Sequence, residues 1–266
     1  MLKDITIGQY FPENSVVHKL DPRMKLILTI GYIVMLFLVN NIWGFLISGL
    51  LLSVCYKISK IPFKMIIKSI KPILSILLFT AVLNIFLVST GTVIFKWWIF
   101  QITTGGIYLA FNMAVRIVLL IASSSLLTYT TSPITLTDAI ERLLKPLKVI
   151  KFPVHELAMM MSIALRFIPT LIEETDKIMS AQKARGADLE SGGLLKRAKA
   201  LVPILIPLFI SAFRRAEELA LAMECRCYHG GEGRTRMRQL HLSVNDFMAL
   251  FVLILGIGLI VFTNRL

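Results

Sequence analysis

A chain of 266 residues with 56% hydrophobic and 17% charged residues and a mean hydropathy of +0.75 is too apolar for an ordinary soluble domain, where apolar residues reach about 45–50% even with glycine counted. Its net charge of +13 lies at the edges of apolar runs and not in a basic patch interleaved with aromatics, which argues against a nucleic-acid partner. Three cysteines, Cys55, Cys225 and Cys227, make no disulfide framework.

The opening MLKDITIGQYFPENS is polar, lacks an apolar core and is not read as a signal peptide. Leu26–Tyr56, Pro72–Phe95 and Phe247–Asn264 contain no Asp, Glu, Lys, Arg or His. A hydrocarbon core of about 30 Å takes about 20 apolar residues per helix, so these runs predict membrane spans. Asn40-Asn41 before Trp43-Gly44 marks a turn, which divides the first run into spans over Leu26–Val39 and Ile42–Tyr56. The five lysines of Lys57–Lys71, with no acid among them, place that loop in the cytoplasm by the positive-inside rule. Their spacing of three or four predicts an interfacial amphipathic helix near 57–71. A third span over Pro72–Ser89 leads to an outer loop with Lys96 and Trp97-Trp98. A fourth, Gly106–Tyr129, returns and carries Arg116, to which the sequence assigns no role.

Pro133 to Leu240 differs from the rest, with 17 Lys or Arg and 12 Asp or Glu among abundant Leu, Ile, Met and Ala. Ser132 is an expected N-cap with Pro133 at the first helical position, and Pro146 should bend or end that helix. Two longer helical patterns follow, from Phe152 to Ala184 and from Leu195 to Cys225, separated by the Ser191-Gly192-Gly193 loop. Both begin apolar and end charged. A last span over Phe247–Thr263 closes the chain. The expected architecture is an all-α integral membrane protein with about five transmembrane helices. The expected domains are an N-terminal membrane domain over 1–130, a cytoplasmic coupling-helix domain over 131–246 and a C-terminal transmembrane helix over 247–266. The N-terminus is expected in the cytoplasm and the C-terminus outside.

Catalytic signatures are missing from the sequence. HGGEGRT, with Gly230, Gly231 and Gly233, is followed by no Gly-Lys-Ser/Thr and makes no Walker A phosphate cradle. There is no HExxH. Cys225, Cys227 and His229 alternate, so on a helix they diverge, and no fourth ligand has zinc-module spacing. No cofactor or metal is expected. The spans lack the mid-membrane acids that a proton- or ion-coupled carrier uses, although a self-contained secondary carrier or channel remains the alternative. The chain reads as membrane spans without an engine.

Two stretches rhyme. AQKARGADL sets Arg185 between Ala184 and Gly186; AMECRCYHGG sets Arg226 between Cys225 and Cys227. Each falls where a long helix should stop. A single arginine there would simply complement the helix dipole. Two in small-Arg-small settings look like two plugs, since guanidinium is a rigid fork of donors and small neighbours let a helix end enter a groove.

At these residues the chain resembles the transmembrane T component of energy-coupling factor (ECF) transporters. VVHKLDPRMKL resembles that family's N-terminal motif, with Asp21, Pro22 and Arg23 at its centre. SAQKARGAD resembles its first Ala-Arg-Gly motif. AMECRCYHGGEGRTR resembles the second, with cysteines in place of the usual Ala and Gly. The resemblance implies a non-catalytic subunit of a vitamin or micronutrient importer. It implies two ATP-binding-cassette subunits as partners, docked by Ala184, Arg185 and Gly186 and by Cys225, Arg226 and Cys227. It also implies a small substrate-binding membrane S component on the Met- and Leu-rich faces of the coupling helices.

Overall fold

The structure is a computed structural model and describes residues 10–88, 91–97, 100–187, 193–230 and 239–265. Trp98, Ser191 and Gly192, named above as loop residues, lie outside the described residues. The chain divides into two compact units: Gly8–Ala139 with Gln239–Leu266, and the described residues of Ile140–Arg238.

The first unit is a helical bundle that contains four of the five candidate membrane spans among the described residues. It begins with one helical turn, α1 (Val16–Lys19), then α2 (Pro22–Leu38) and α3 (Ile42–Ser59). Asp21 starts α2 by accepting the Arg23 N–H at 2.9 Å, with Pro22 at the first position, where its missing N–H costs nothing. Asn40-Asn41 turns the chain as expected. The chain then departs from the expected interfacial helix over 57–71. Lys60 takes a left-handed conformation (φ 57°) and ends α3, Pro62 follows, and only α4 (Phe63–Ile70) is helical beyond it. Lys57 and Lys60 therefore do not share a helix face with Lys64, Lys68 and Lys71. The lost continuity has a local cause: Pro62 disfavours helical backbone at Ile61 and cannot donate to a helix begun upstream.

After α4 a 3₁₀ turn at Lys71–Ile73 leads into α5 (Leu74–Leu87), so the expected third span is the second part of a 25-residue apolar stretch, Phe63–Leu87. The loop beyond it contains a short antiparallel hairpin, β1 (Val93–Trp97) with β2 (Phe100–Thr103). It is the one non-helical element among the described residues of an otherwise all-helical fold. Thr103 joins the hairpin to the bundle: its hydroxyl donates to Val88 O at 2.7 Å and accepts the Gly106 N–H, capping α6 (Thr104–Thr130).

The last membrane helix is α10 (Val244–Thr263). A capping box opens it, with Ser243 and Asp246 satisfying each other's end groups. α2, α3, α6 and α10 enclose the core, whose fully buried members include Met35, Leu36, Val39 and Ile260. α2 and α10 approach so closely that a Cβ at Gly31 would stand 2.6 Å from Leu253 Cδ2. Two tyrosines bond across the bundle without leaving a buried hydroxyl unsatisfied: Tyr32 Oη to Ser48 O at 2.9 Å and Tyr56 Oη to Ala122 O at 2.7 Å.

The second unit follows α7 (Pro133–Leu144), whose first half belongs to the bundle. Pro146 ends α7 as expected, and a 3₁₀ run covers Lys145–Ile150. Two 31-residue helices complete the unit, α8 (Val154–Ala184) and α9 (Leu194–Glu224). Glu174 accepts hydrogen bonds from Ser211 and, at 2.9 Å, from Arg215, while Gln182 donates to Pro203 O at 3.4 Å. Moving up α8 from 174 to 182 matches moving down α9 from 211 to 203, so the two helices are antiparallel.

Five helical segments are long and apolar enough to cross a membrane: Ile42–Ser59, Phe63–Leu87, Thr104–Thr130, Val154–Ala184 and Val244–Thr263. This set differs from the expected spans at two places. α8 qualifies through its apolar first half, and α2, at 17 residues, falls just short by length.

Candidate functional site

The two arginine stretches end their helices by the same hydrogen-bond pattern. At the end of α8, Gly186 N donates to Lys183 O at 3.0 Å and Ala187 N to Gln182 O at 3.0 Å. At the end of α9, Cys227 N donates to Glu224 O at 2.8 Å and Tyr228 N to Met223 O at 3.1 Å. Each pair is a Schellman motif, which satisfies carbonyls that the helix end would otherwise orphan. The motif needs a left-handed residue one past the cap. Gly186 supplies it at φ 87° and Cys227 at φ 56°. Cys227 thus performs the turn that glycine makes without steric cost, and the expected docking set Cys225, Arg226, Cys227 has the same backbone form as Ala184, Arg185, Gly186.

Arg185 and Arg226 occupy the equivalent capping position, and both are exposed together with their small neighbours. Neither guanidinium has a partner among the described residues. Because α8 and α9 are antiparallel, the two ends point opposite ways along the hairpin. Arg185 lies level with about residue 200 of α9, and Arg226 is roughly 40 Å further along at 1.5 Å per residue.

Asp21, Pro22 and Arg23 lie elsewhere, in the membrane bundle, and there they knit helix ends together. Arg23 forks onto the Asp21 carboxylate, Nε to Oδ1 at 3.0 Å and Nη2 to Oδ2 at 2.7 Å, and Nη2 also reaches Leu240 O at 3.4 Å. Asp21 N donates to Asp246 Oδ1 at 2.9 Å, so the start of α2 is tied to the start of α10. Lys25, two residues beyond this motif centre, is buried. Its ammonium donates to His18 O at 2.9 Å and Thr130 O at 2.8 Å, in the last turn of α1 and at the end of α6. The counter-charges are Asp246 and Asp21. Four helix ends thus converge, carboxylates at the positive N-terminal ends and a cation at the negative C-terminal ends. His18 belongs to the same junction, with Nδ1 beside Ser15 Oγ at 2.7 Å and Nε2 at 3.0 Å from Phe11 O. Burial holds its pKa below the usual imidazole value. The Ser-x-x-Asp pattern at Ser243–Asp246, just before an apolar run, was the sequence signal for half of this junction.

Arg116 also acquires a role. Its Nη2 donates to Val39 O at 2.8 Å, and its guanidinium lies 5.8 Å from the Phe37 ring and 5.7 Å from that of Phe45. It caps the end of α2 at the Asn40-Asn41 turn. Asn41 Nδ2 donates to Thr263 O at 3.0 Å and Asn264 Nδ2 to Leu38 O at 2.6 Å. The polar ends of α2, α3 and α10 therefore meet at the level of Arg116.

Among the described residues no cluster of three or more His, Cys, Asp or Glu side chains could hold a metal ion. Fold and site together define a polytopic helical membrane protein that carries, in a separate unit, a long helical hairpin tipped at both ends by an exposed arginine. Residues 13–237 match the CbiQ family, described as cobalt transport protein. The chain belongs to this family, whose members include the transmembrane T components of ECF transporters. It is 57% identical over 263 residues to an energy-coupling factor transporter transmembrane protein EcfT of Ruminiclostridium cellulolyticum, covering 99% of this chain and 96% of that one. It is 58% identical to the EcfT of Clostridium kluyveri (94% and 93% covered) and 48% identical to that of Bacillus subtilis (98% and 99%). The function is that of an ECF transporter T component in a multi-pass membrane protein.

Proposed function

We propose that this chain is the non-catalytic coupling subunit of its transporter, passing the motion of two cassette ATPases to a substrate-binding S component during uptake of a vitamin or other micronutrient. The observation that carries the reading is the pair of matched Schellman ends, each presenting an exposed arginine, at opposite ends of one hairpin. A dimer of ATPases offers two equivalent sockets, and a hairpin with two equivalent tips fits that symmetry. In this reading α8 and α9 lie in the cytoplasm and α2, α3, α4–α5, α6 and α10 cross the bilayer. Charge supports the assignment of α8: Glu173, Glu174, Asp176, Lys177 and Lys183 crowd its second half, at a cost no lipid-facing helix would carry. The N-terminus is then cytoplasmic and the C-terminus outside.

Arg185→Ala and Arg226→Ala test the docking. Truncating one side of a buried charged hydrogen bond at an interface costs about 2–5 kcal/mol, so each variant should copurify less ATPase and transport less. The double variant should lose more than either, since the first dock raises the effective concentration for the second. Arg→Lys should not rescue a two-pronged contact. Full assembly and uptake in the double alanine variant would reduce both arginines to helix caps.

A further inference from the structure

The turn between α7 and α8 has features that neither coupling nor bundle packing uses. All nine residues from Lys145 to Pro153 are exposed. Val149 is 89% and Ile150 78% accessible, the highest values among the described exposed large apolar side chains. Lys145, Lys148 and Lys151 punctuate the stretch, and there is no acid from Leu143 to His155. Within the 3₁₀ run, residues three apart eclipse one another, so Lys145 and Lys148 share a face and the apolar side chains take the others. The backbone is fixed in this shape. Lys151 adopts a left-handed cap (φ 60°), with its N–H on Lys148 O at 3.0 Å and Phe152 N on Leu147 O at 3.4 Å. Glu141 Oε1 and His155 Nδ1, 3.1 Å apart, close the base.

We propose that Lys145–Phe152 is a lipid-surface finger that inserts Val149 and Ile150 at the headgroup boundary of an anionic leaflet and tethers the start of the α8–α9 unit to the bilayer. Its composition selects this occupant. Protein interfaces are depleted in lysine at their cores, whereas lysines alternating with apolar side chains match a headgroup layer, with ammoniums on phosphates and stems and aliphatic side chains below. Reach is available: Ala139, where the chain leaves the first unit, precedes Lys145 by six residues, about 9 Å of helical rise. The finger is fixed before it meets lipid, so little ordering entropy opposes insertion. The inference is independent of how the arginine ends dock.

The test places the photo-crosslinking residue p-benzoylphenylalanine at Val149 in the assembled transporter, with Ser180, exposed on α8, as the control position. The complexes are reconstituted in vesicles of phosphatidylcholine alone or with about one-third phosphatidylglycerol. Lipid adducts should form at position 149 about tenfold more than at 180, and more in the anionic vesicles. Each lysine near an anionic surface contributes about a fivefold gain in partitioning. The triple variant Lys145→Gln, Lys148→Gln, Lys151→Gln should therefore bring the anionic yield down to the neutral one. An adduct to a protein subunit in place of lipid, equal yields at 149 and 180, or a lysine variant without effect would each overturn the proposal.

Discussion

Cys227 occupies a conformation that costs an ordinary L-residue about 1–2 kcal/mol relative to glycine. Nothing stands within 4 Å of a Cβ built at Gly186, so at that end the penalty of a side chain is backbone strain alone. Cys227→Gly should tighten the end of α9 by about 1 kcal/mol, read as slower amide exchange at Cys227 and Tyr228. Gly186→Ala should loosen the end of α8 by a similar amount. Unchanged exchange in both would mean that the left-handed cap contributes nothing to either end. Lys25 is the opposite case, a residue whose removal leaves others stranded. Lys25→Met would orphan the carbonyls of His18 and Thr130 and remove a buried cation from beside Asp246 and Asp21, of which Asp21 keeps its Arg23 partner. Losses of about 3–5 kcal/mol follow when a buried charge is left uncompensated, enough for a large fall in melting temperature in detergent. Asp246→Asn should also destabilise, by about 1–3 kcal/mol, because the Asp21 and Ser243 N–H groups sit on different carboxylate oxygens and the amide NH2 that replaces one of them would face a donor.

At the scale of elements, legibility followed local chemistry. Asn40-Asn41, Pro146 and Gly186 each stop a helix for reasons contained in a few residues, and each stop falls where sequence reasoning put it. Lys57–Lys71 misled because periodicity was counted across Pro62, whose effect on Ile61 outweighs a regular lysine spacing. The hairpin over Val93–Thr103 was hidden because a short loop of apolar and aromatic residues carries no turn dipeptide to announce it. Of the candidate site, the arginine ends were legible as motifs, but their common left-handed cap was not, since cysteine is not a residue one assigns to positive φ. The junction around Lys25 was illegible for a different reason. It joins residues more than two hundred positions apart, Asp21 and Asp246, and only the capping box at one end leaves a mark in the sequence.

At the scale of the whole molecule, charge is distributed by task. Buried ionic groups gather where helix ends converge, so that Asp21, Arg23, Lys25 and Asp246 satisfy backbone groups as well as each other. Such a junction holds the bundle in one arrangement. Arg185 and Arg226 stand outside this junction, exposed at helix ends of the second unit. Exposed and buried charged groups are thus built from the same side-chain chemistry and differ in burial.

The meeting of Arg116 with the end of α2 has a consequence for the lipid. α2 and α3, with 17 and 18 residues, are only about 26–27 Å long, whereas α6, with 27 residues, extends about 40 Å. The Asn40-Asn41 turn is reached from two levels of α6, by Tyr108 on Asn40 O at 3.2 Å and by Arg116 on Val39 O, so it lies between about 6 and 18 Å below the start of α6. In the proposed topology α2 and α3 would form a low wall, shorter than a hydrocarbon layer of about 30 Å. Lipid beside it must thin, at fractions of a kcal/mol for each Å of hydrophobic mismatch. In that topology the transporter would carry its own dent in the bilayer, with a depth set by the host membrane. Reconstituted in phosphatidylcholines of increasing acyl length, it should lose uptake as the bilayer thickens, with the α2–α3 turn increasingly shielded from water-soluble reagents. A flat profile across short, medium and long acyl chains would show that the low wall is filled by something other than lipid.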